Sequence, residues 1–232
     1  MSGGGVRERS DVDTRTFLQR VYVFMSLGLA TTGLVALATA SSPAAMGFVF
    51  GNRLVFFALM IAELLLVVAF APVAARVSAA TASAMFFGYA ALSGVTFSAI
   101  FLRYTAGSIG GTFLVTGGMF AALSAYGALT KRDLASLGSF CMMGLIGLVI
   151  ASVVNIFLGS SMLYWLTTFM GVIVFTGLTA YDTAKLRTLQ QAGAGREAVT
   201  KAALQGALIL YLDFINLFLM MLRLLGGGRR RD

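Results

Sequence analysis

Residues Ala203–Leu225 read ALQGALILYLDFINLFLMMLRLL, a run in which only Asp213 and Arg223 carry charge. About 20 such residues in an α-helix span the roughly 30 Å hydrocarbon core of a bilayer. At 1.5 Å per residue, Asp213 lies about 15 Å in from Ala203, close to the midplane, where its carboxyl group cannot snorkel to water. A span with an acid at its centre therefore sets both the fold class and the first functional question.

Working back from this run, six further windows of the same kind fall near residues 21–41, 54–75, 79–102, 107–129, 137–158 and 162–182. The connections are short, several only turns such as Gly159-Ser160-Ser161. The composition agrees: 59% of the 232 residues are hydrophobic and 11% charged, with a mean hydropathy of +0.90. A soluble domain carries about 25% charged residues. The expected fold is an all-α integral membrane protein, a seven-transmembrane-helix bundle over residues 21–226. A tail at 1–20 precedes it and a basic tail at 227–232 follows it. The first window resembles a signal segment, since Ala38-Thr39-Ala40 has the form of a cleavage site. Its apolar run is longer than the usual 7 to 15 or so, however, and the preceding tail holds Glu8, Asp11 and Asp13, so it reads as a retained span.

What is missing narrows the chemistry. Without histidine there is no Ser-His-Asp or Cys-His nucleophile and no imidazole metal site. The single cysteine, Cys141, forms no internal disulfide and sits in an apolar run, where it reads as a small packing residue. The stretch Gly193-Ala-Gly195-Arg-Glu-Ala198 fits a loose dinucleotide pattern but follows no strand, and reads as linker. Small residues such as Gly107 to Gly111, Ala84, Gly88 and Ala91 suggest close helix packing or a dimer face.

Charge sets the expected topology. With the amino terminus cytoplasmic, that side collects Arg7, Arg9, Arg15, Arg20, Arg76, Lys131, Arg132, Lys185, Arg187, Arg196 and Lys201. The opposite side holds Arg53, Arg103, Arg223 and Arg229 to Arg231, so the positive-inside rule favours this orientation. A last segment that dips in and returns would instead keep both termini cytoplasmic. The net charge of +8 lies at span ends and in loops, which suits anionic lipid headgroups and not nucleic acid.

Ionisable residues at depth are costly, about 2.5 to 3.5 kcal/mol each on insertion scales, and mark function by default. Those here are Glu63, Asp182 and Asp213, with Arg76 and Arg223 at span ends. Asp182 and Asp213 lie on consecutive spans, so the two carboxyl groups are placed to meet and to titrate as a coupled pair around one proton, a proton-operated switch. The plainer alternative has Asp182 facing the loop beside Tyr181, Thr183 and Lys185, and Asp213 bonding Asn216 one turn on. Glu63 and Arg223 fall at similar depth and are placed to pair as an outer plug, while Arg76 is placed to reach Asp182. Each arginine also reads as an interfacial anchor.

The segments Phe175-Thr-Gly-Leu-Thr-Ala-Tyr-Asp182-Thr-Ala-Lys-Leu and Ala207-Leu-Ile-Leu-Tyr-Leu-Asp213-Phe-Ile-Asn-Leu-Phe-Leu, with a closing Leu-Arg223-Leu-Leu-Gly, resemble the Bax inhibitor-1 (transmembrane Bax inhibitor motif) family, its bacterial branch above all. The two aspartate segments are specific to that family; the earlier spans are generic. The resemblance implies a bundle with the last helix central, a bacterial cytoplasmic (inner) membrane location and a pH-sensitive calcium leak. It further implies a di-aspartyl sensor at Asp182 and Asp213, an arginine latch at Arg76, and a glutamate and arginine at Glu63 and Arg223. The connection from Lys185 to Ala202 looks longer than is usual in bacterial members.

The leading expectation is a passive proton-gated cation pathway, with calcium the transported ion and no resident cofactor. Calcium takes about six to eight oxygens. Two carboxylates supply at most four, leaving water and carbonyls to complete a transient metal site at Asp182 and Asp213. Proton-coupled secondary transport is an alternative, against which no inverted repeat or matching Gly/Pro-broken helices appear. An intramembrane aspartyl protease is disfavoured, because Leu210, Tyr211 and Leu212 precede Asp213 where that class needs Gly-x-Gly; the chain reads as no enzyme. A regulatory protein that binds a membrane protease or cell-death factor through Arg7 to Arg20 is a further alternative.

Overall fold

The structure, a computed structural model, describes residues 3–188 and 195–227, with side chains from residue 14 onward. All of the basic tail at 227–232 beyond Gly227, the residues 189–194 and the side chains of Arg7 and Arg9 lie outside the described residues. Among the described residues the chain is helical without a strand: α1 (Gly3–Ala40), α2 (Pro43–Gly51), α3 (Arg53–Arg76), α4 (Ala79–Phe97), α5 (Ile100–Arg103), α6 (Ala106–Leu129), α7 (Ala135–Leu158), α8 (Ser161–Thr188) and α9 (Arg196–Leu225). Seven of these stretches are long and apolar enough to cross a membrane, α4 and α5 together forming the third. The protein is an all-α membrane protein with seven spans.

The caps follow from the polar residues between the windows. Asn52 Oδ1 accepts from Leu54 N–H at 3.0 Å and Ser78 Oγ from Thr81 N–H at 3.2 Å, while Thr105 Oγ1 accepts from Ser108 N–H at 3.2 Å. Each satisfies an amide that the first turn of a helix leaves without a partner. Gly159 ends α7 with φ +60°, a left-handed conformation suited to glycine. Asn155 Oδ1 then accepts from Ser160 N–H at 2.9 Å, which closes the expected turn into α8.

Three boundaries differ from the sequence reading. α1 begins well before residue 21, so most of the expected tail is helix. α8 continues to Thr188 and α9 begins at Arg196, which shortens the Lys185–Ala202 connection to a few residues and leaves Asp182 inside a helix and not at its end. The apolar count stops where the bilayer stops, but helical hydrogen bonding does not. α9 is also one unbroken helix, 30 residues long and hence about 45 Å. It has no turn at which a re-entrant segment would double back.

The chain divides into two compact units. The first comprises Met1–Arg103 and Gln190–Tyr211, the second Tyr104–Leu189 and Leu212–Asp232, so α9 gives its first half to one and its second half to the other. In the first unit α1 and α3 pack on α4. Gly28 lets the Phe86 ring approach α1, and Gly94 lies against the Thr32 carbonyl and the Val35 side chain. The end of α3 around Pro72 is tied to α9. Gln205 donates to the Ala71 carbonyl at 3.4 Å, and Lys201 to the Ala75 and Val77 carbonyls, each at 3.1 Å.

In the second unit α6 and α7 pack on α8. Gly127 faces the Ala180 carbonyl, Gly138 the Tyr181 ring and Gly177 the Cys141 sulfur. Cys141 is thus a packing residue, in a core with Val174, Phe175, Leu178, Leu217 and Met221. The close approaches differ from those read in the sequence: Gly88, Gly107, Gly110 and Gly111 have open space where a Cβ would sit. Large apolar side chains such as Leu54, Phe157 and Met162 are exposed, as lipid-facing positions require. The last span is the most buried, 56% of its apolar window against 6% for the second and fifth.

Candidate functional site

The site is built on the second unit. Asp213 lies on α9 with 5% of its surface exposed, and Asp182 lies half-buried in the last third of α8. The two carboxyl groups lie close enough for each to act on the other's ionisation. Two carboxyl groups bond only while a proton stands between them, so a bond between these two is itself dependent on protonation. No hydrogen-bond donor among the described residues reaches Asp213 Oδ2, which leaves that oxygen without the compensation a buried carboxylate needs.

Several polar groups around the pair are committed elsewhere. Asn216 Nδ2 donates to the Leu212 carbonyl of its own helix at 2.8 Å, and not to Asp213 as the plainer alternative had it. Thr179 Oγ1 donates to the Phe175 carbonyl at 2.7 Å, and Thr183 Oγ1 to Ser124 Oγ at 3.4 Å. Both hydroxyls are fully buried and already committed. Lys185, one turn further along α8, is the cation whose charge acts on Asp182, and its ammonium also stands 5.8 Å over the Tyr181 ring. Beyond Asp213 the α9 face is aromatic: Phe214 meets Phe113 and Phe120 edge-on, with centroids 5.2 and 5.4 Å apart.

The other predicted residues occupy distinct settings. Glu63 and Arg76 belong to the first unit, Asp182, Asp213 and Arg223 to the second. Glu63 Oε1 accepts from Thr96 Oγ1 at 2.7 Å. Arg76 closes α3 and is exposed. The Arg223 guanidinium lies 5.3 Å over the Tyr164 ring, with Nη1 3.9 Å from Met220 Sδ.

A hydroxyl cluster that the sequence reading passed over also occupies the first unit. Tyr211 and Thr32 share a hydrogen bond of 2.7 Å, and Thr32 Oγ1 lies 2.8 Å from the Ala90 carbonyl. Tyr89 stacks edge-on to Tyr211 at 5.8 Å, and Ser93 lies beside both. The one signal for it in the sequence was Tyr211, a polar tip two residues before Asp213. Among the described residues no group of three or more Cys, Asp or Glu is placed to hold a metal ion; the aspartate pair offers at most four oxygens.

The family model described as "Inhibitor of apoptosis-promoting Bax1" matches residues 14–231. Inner membrane protein YbhL of Escherichia coli K12 is 48% identical over 217 residues, 93% of each chain. A protein of Deinococcus radiodurans is 44% identical over 218 residues, covering 94% of this chain and 92% of its own. A membrane protein of Streptococcus pyogenes is 33% identical over 220 residues, covering 94% and 95%.

Proposed function

The chain belongs to the Bax inhibitor-1 family, and on that premise we propose that it is a pH-sensitive calcium leak in a bacterial inner membrane, gated by Asp182 and Asp213. The observation that carries this reading is a pair of carboxyl groups on α8 and α9 close enough to act on each other, one of them almost fully buried, in a chain of membrane-spanning helices. While one proton is shared, the helices are joined and the site holds little charge for a cation. When both groups ionise, the contact gives way to repulsion, and up to four oxygens become available to a divalent ion that water and backbone carbonyls also serve. Such a weak site suits passage and not storage. In this reading Arg76 latches onto Asp182 in one state, Glu63 and Arg223 plug the outer half, and the second span changes position on opening. No step needs an enzyme's machinery or a resident cofactor.

Calcium flux into dye-loaded liposomes holding the purified protein, followed across a pH series, tests this. Wild type is expected to conduct with a rate that titrates with pH, a dependence lost in Asp182→Asn and in Asp213→Asn. Flux no greater than that of empty liposomes at every pH would overturn the leak, and the regulatory, partner-binding reading would take its place. Uphill calcium movement driven by a proton gradient would replace the leak with proton-coupled transport.

A further inference from the structure

Where α6 and α8 end and α7 begins, in the second unit, lies a cavity of about 350 Å³, lined by Lys131, Arg132, Asp133, Tyr181, Lys185 and Arg187 among others. That volume falls within the range of small-molecule sites, roughly 300 to 1,000 Å³. Four cations face it against one carboxylate, and that carboxylate is already engaged: Asp133 Oδ1 accepts from Ala135 N–H at 2.9 Å, capping α7.

The cations are not equally free. Arg187 is held by the α6 end, its Nη1 donating to the Ala128 and Thr130 carbonyls, each at 2.9 Å. This fixes the guanidinium while leaving its other donors to meet an anion. Lys185 is steadied over the Tyr181 ring. Lys131 and Arg132 are exposed on the α6–α7 loop, and among the described residues their side chains form no ion pair. A guanidinium fixed at the floor with two exposed cations beside it suits a phosphate group.

The position favours one source for that phosphate. The loop joins two membrane spans, and exposed apolar side chains begin within two turns of it: Tyr126 and Leu129 on α6, Leu137 and Phe140 on α7. A ligand with a charged head and hydrocarbon tails meets both surfaces; inorganic phosphate meets only the first. We propose that this cavity binds the phosphate headgroup of an anionic phospholipid. Basic pockets between membrane helices recognise such headgroups through the same chemistry.

The test is native mass spectrometry of the full chain, released from detergent after incubation with phosphatidylglycerol or with phosphatidylcholine of the same acyl composition. Wild type is expected to retain phosphatidylglycerol preferentially. Lys131→Gln/Arg132→Gln should weaken that retention by about twenty-five-fold, about fivefold per cation removed, whereas Lys131→Arg/Arg132→Lys and Arg53→Gln, on α3 of the first unit, should keep it. Should the double variant fail to fold, each single variant makes the same comparison at about fivefold. Equal retention of the two lipids by wild type, or full retention by the Gln variants, would overturn the proposal. Complete displacement of phosphatidylglycerol by millimolar inorganic phosphate would overturn the lipid as the source and assign the cavity to free phosphate.

Discussion

Thr32 has a single hydroxyl proton, and the Ala90 carbonyl 2.8 Å away is in place to accept it, so Tyr211 is the donor in the 2.7 Å bond between them. Tyr211→Phe would remove that donor from a fully buried position. Intramembrane hydrogen bonds average about 0.6 kcal/mol and reach about 1.7, so a loss of about 1 kcal/mol is expected in reversible unfolding from detergent micelles. An unchanged midpoint would show the hydroxyl pair to be energetically idle. The aspartates and this pair differ in how readily the sequence betrays them. A carboxyl group inside an apolar run has no cheap explanation other than a partner, so Asp182 and Asp213 announce themselves and suggest each other. Threonine and tyrosine are tolerated in membrane helices for many reasons, and only the rotation of α1 and α9 about their axes brings Thr32 to Tyr211. Composition and spacing do not fix that rotation, nor do they settle that Asn216 bonds its own helix and not Asp213.

Between elements, the tightest approach near the candidate site is that of α6 to α8, where Gly127 meets the Ala180 carbonyl. A methyl group there collides with backbone and not with a side chain that can swing away. Gly127→Ala is expected to cost about 1 to 3 kcal/mol, the usual range for overpacking, and to disturb the turn that carries Asp182. Gly117→Ala on the same helix, where a Cβ meets open space, should leave thermal stability within experimental error or raise it slightly. Equal effects of the two would show that this helix contact is not close. All seven spans were legible because each needs only length and apolarity. The ends of α8 and α9 were not, since Lys185, Arg187, Arg196 and Glu197 read as water-side residues although the helix runs through them. The short α2 was equally hidden, a few apolar residues after Ser42 and Pro43 that are too brief to register as a span.

For the whole molecule, seven spans with a cytoplasmic amino terminus are expected to put Arg53 and Lys131 on opposite faces of the membrane. On a Cys141→Ala background, single cysteines at Arg53 and Lys131 should react with an impermeant maleimide from opposite sides, Lys131 from the cytoplasm. Labelling of both from one side would overturn the topology. The division of α9 between the two units reaches beyond the mature fold. Neither unit has all of its helices until the final segment is made: the first 103 residues wait for Gln190–Tyr211, and residues 104–189 wait for Leu212 onward. A nascent chain emerging from the ribosome therefore holds two cores, neither of them finished. A premature stop anywhere before residue 196 leaves both without α9 and exposes such a product to the proteases that survey membrane protein assembly.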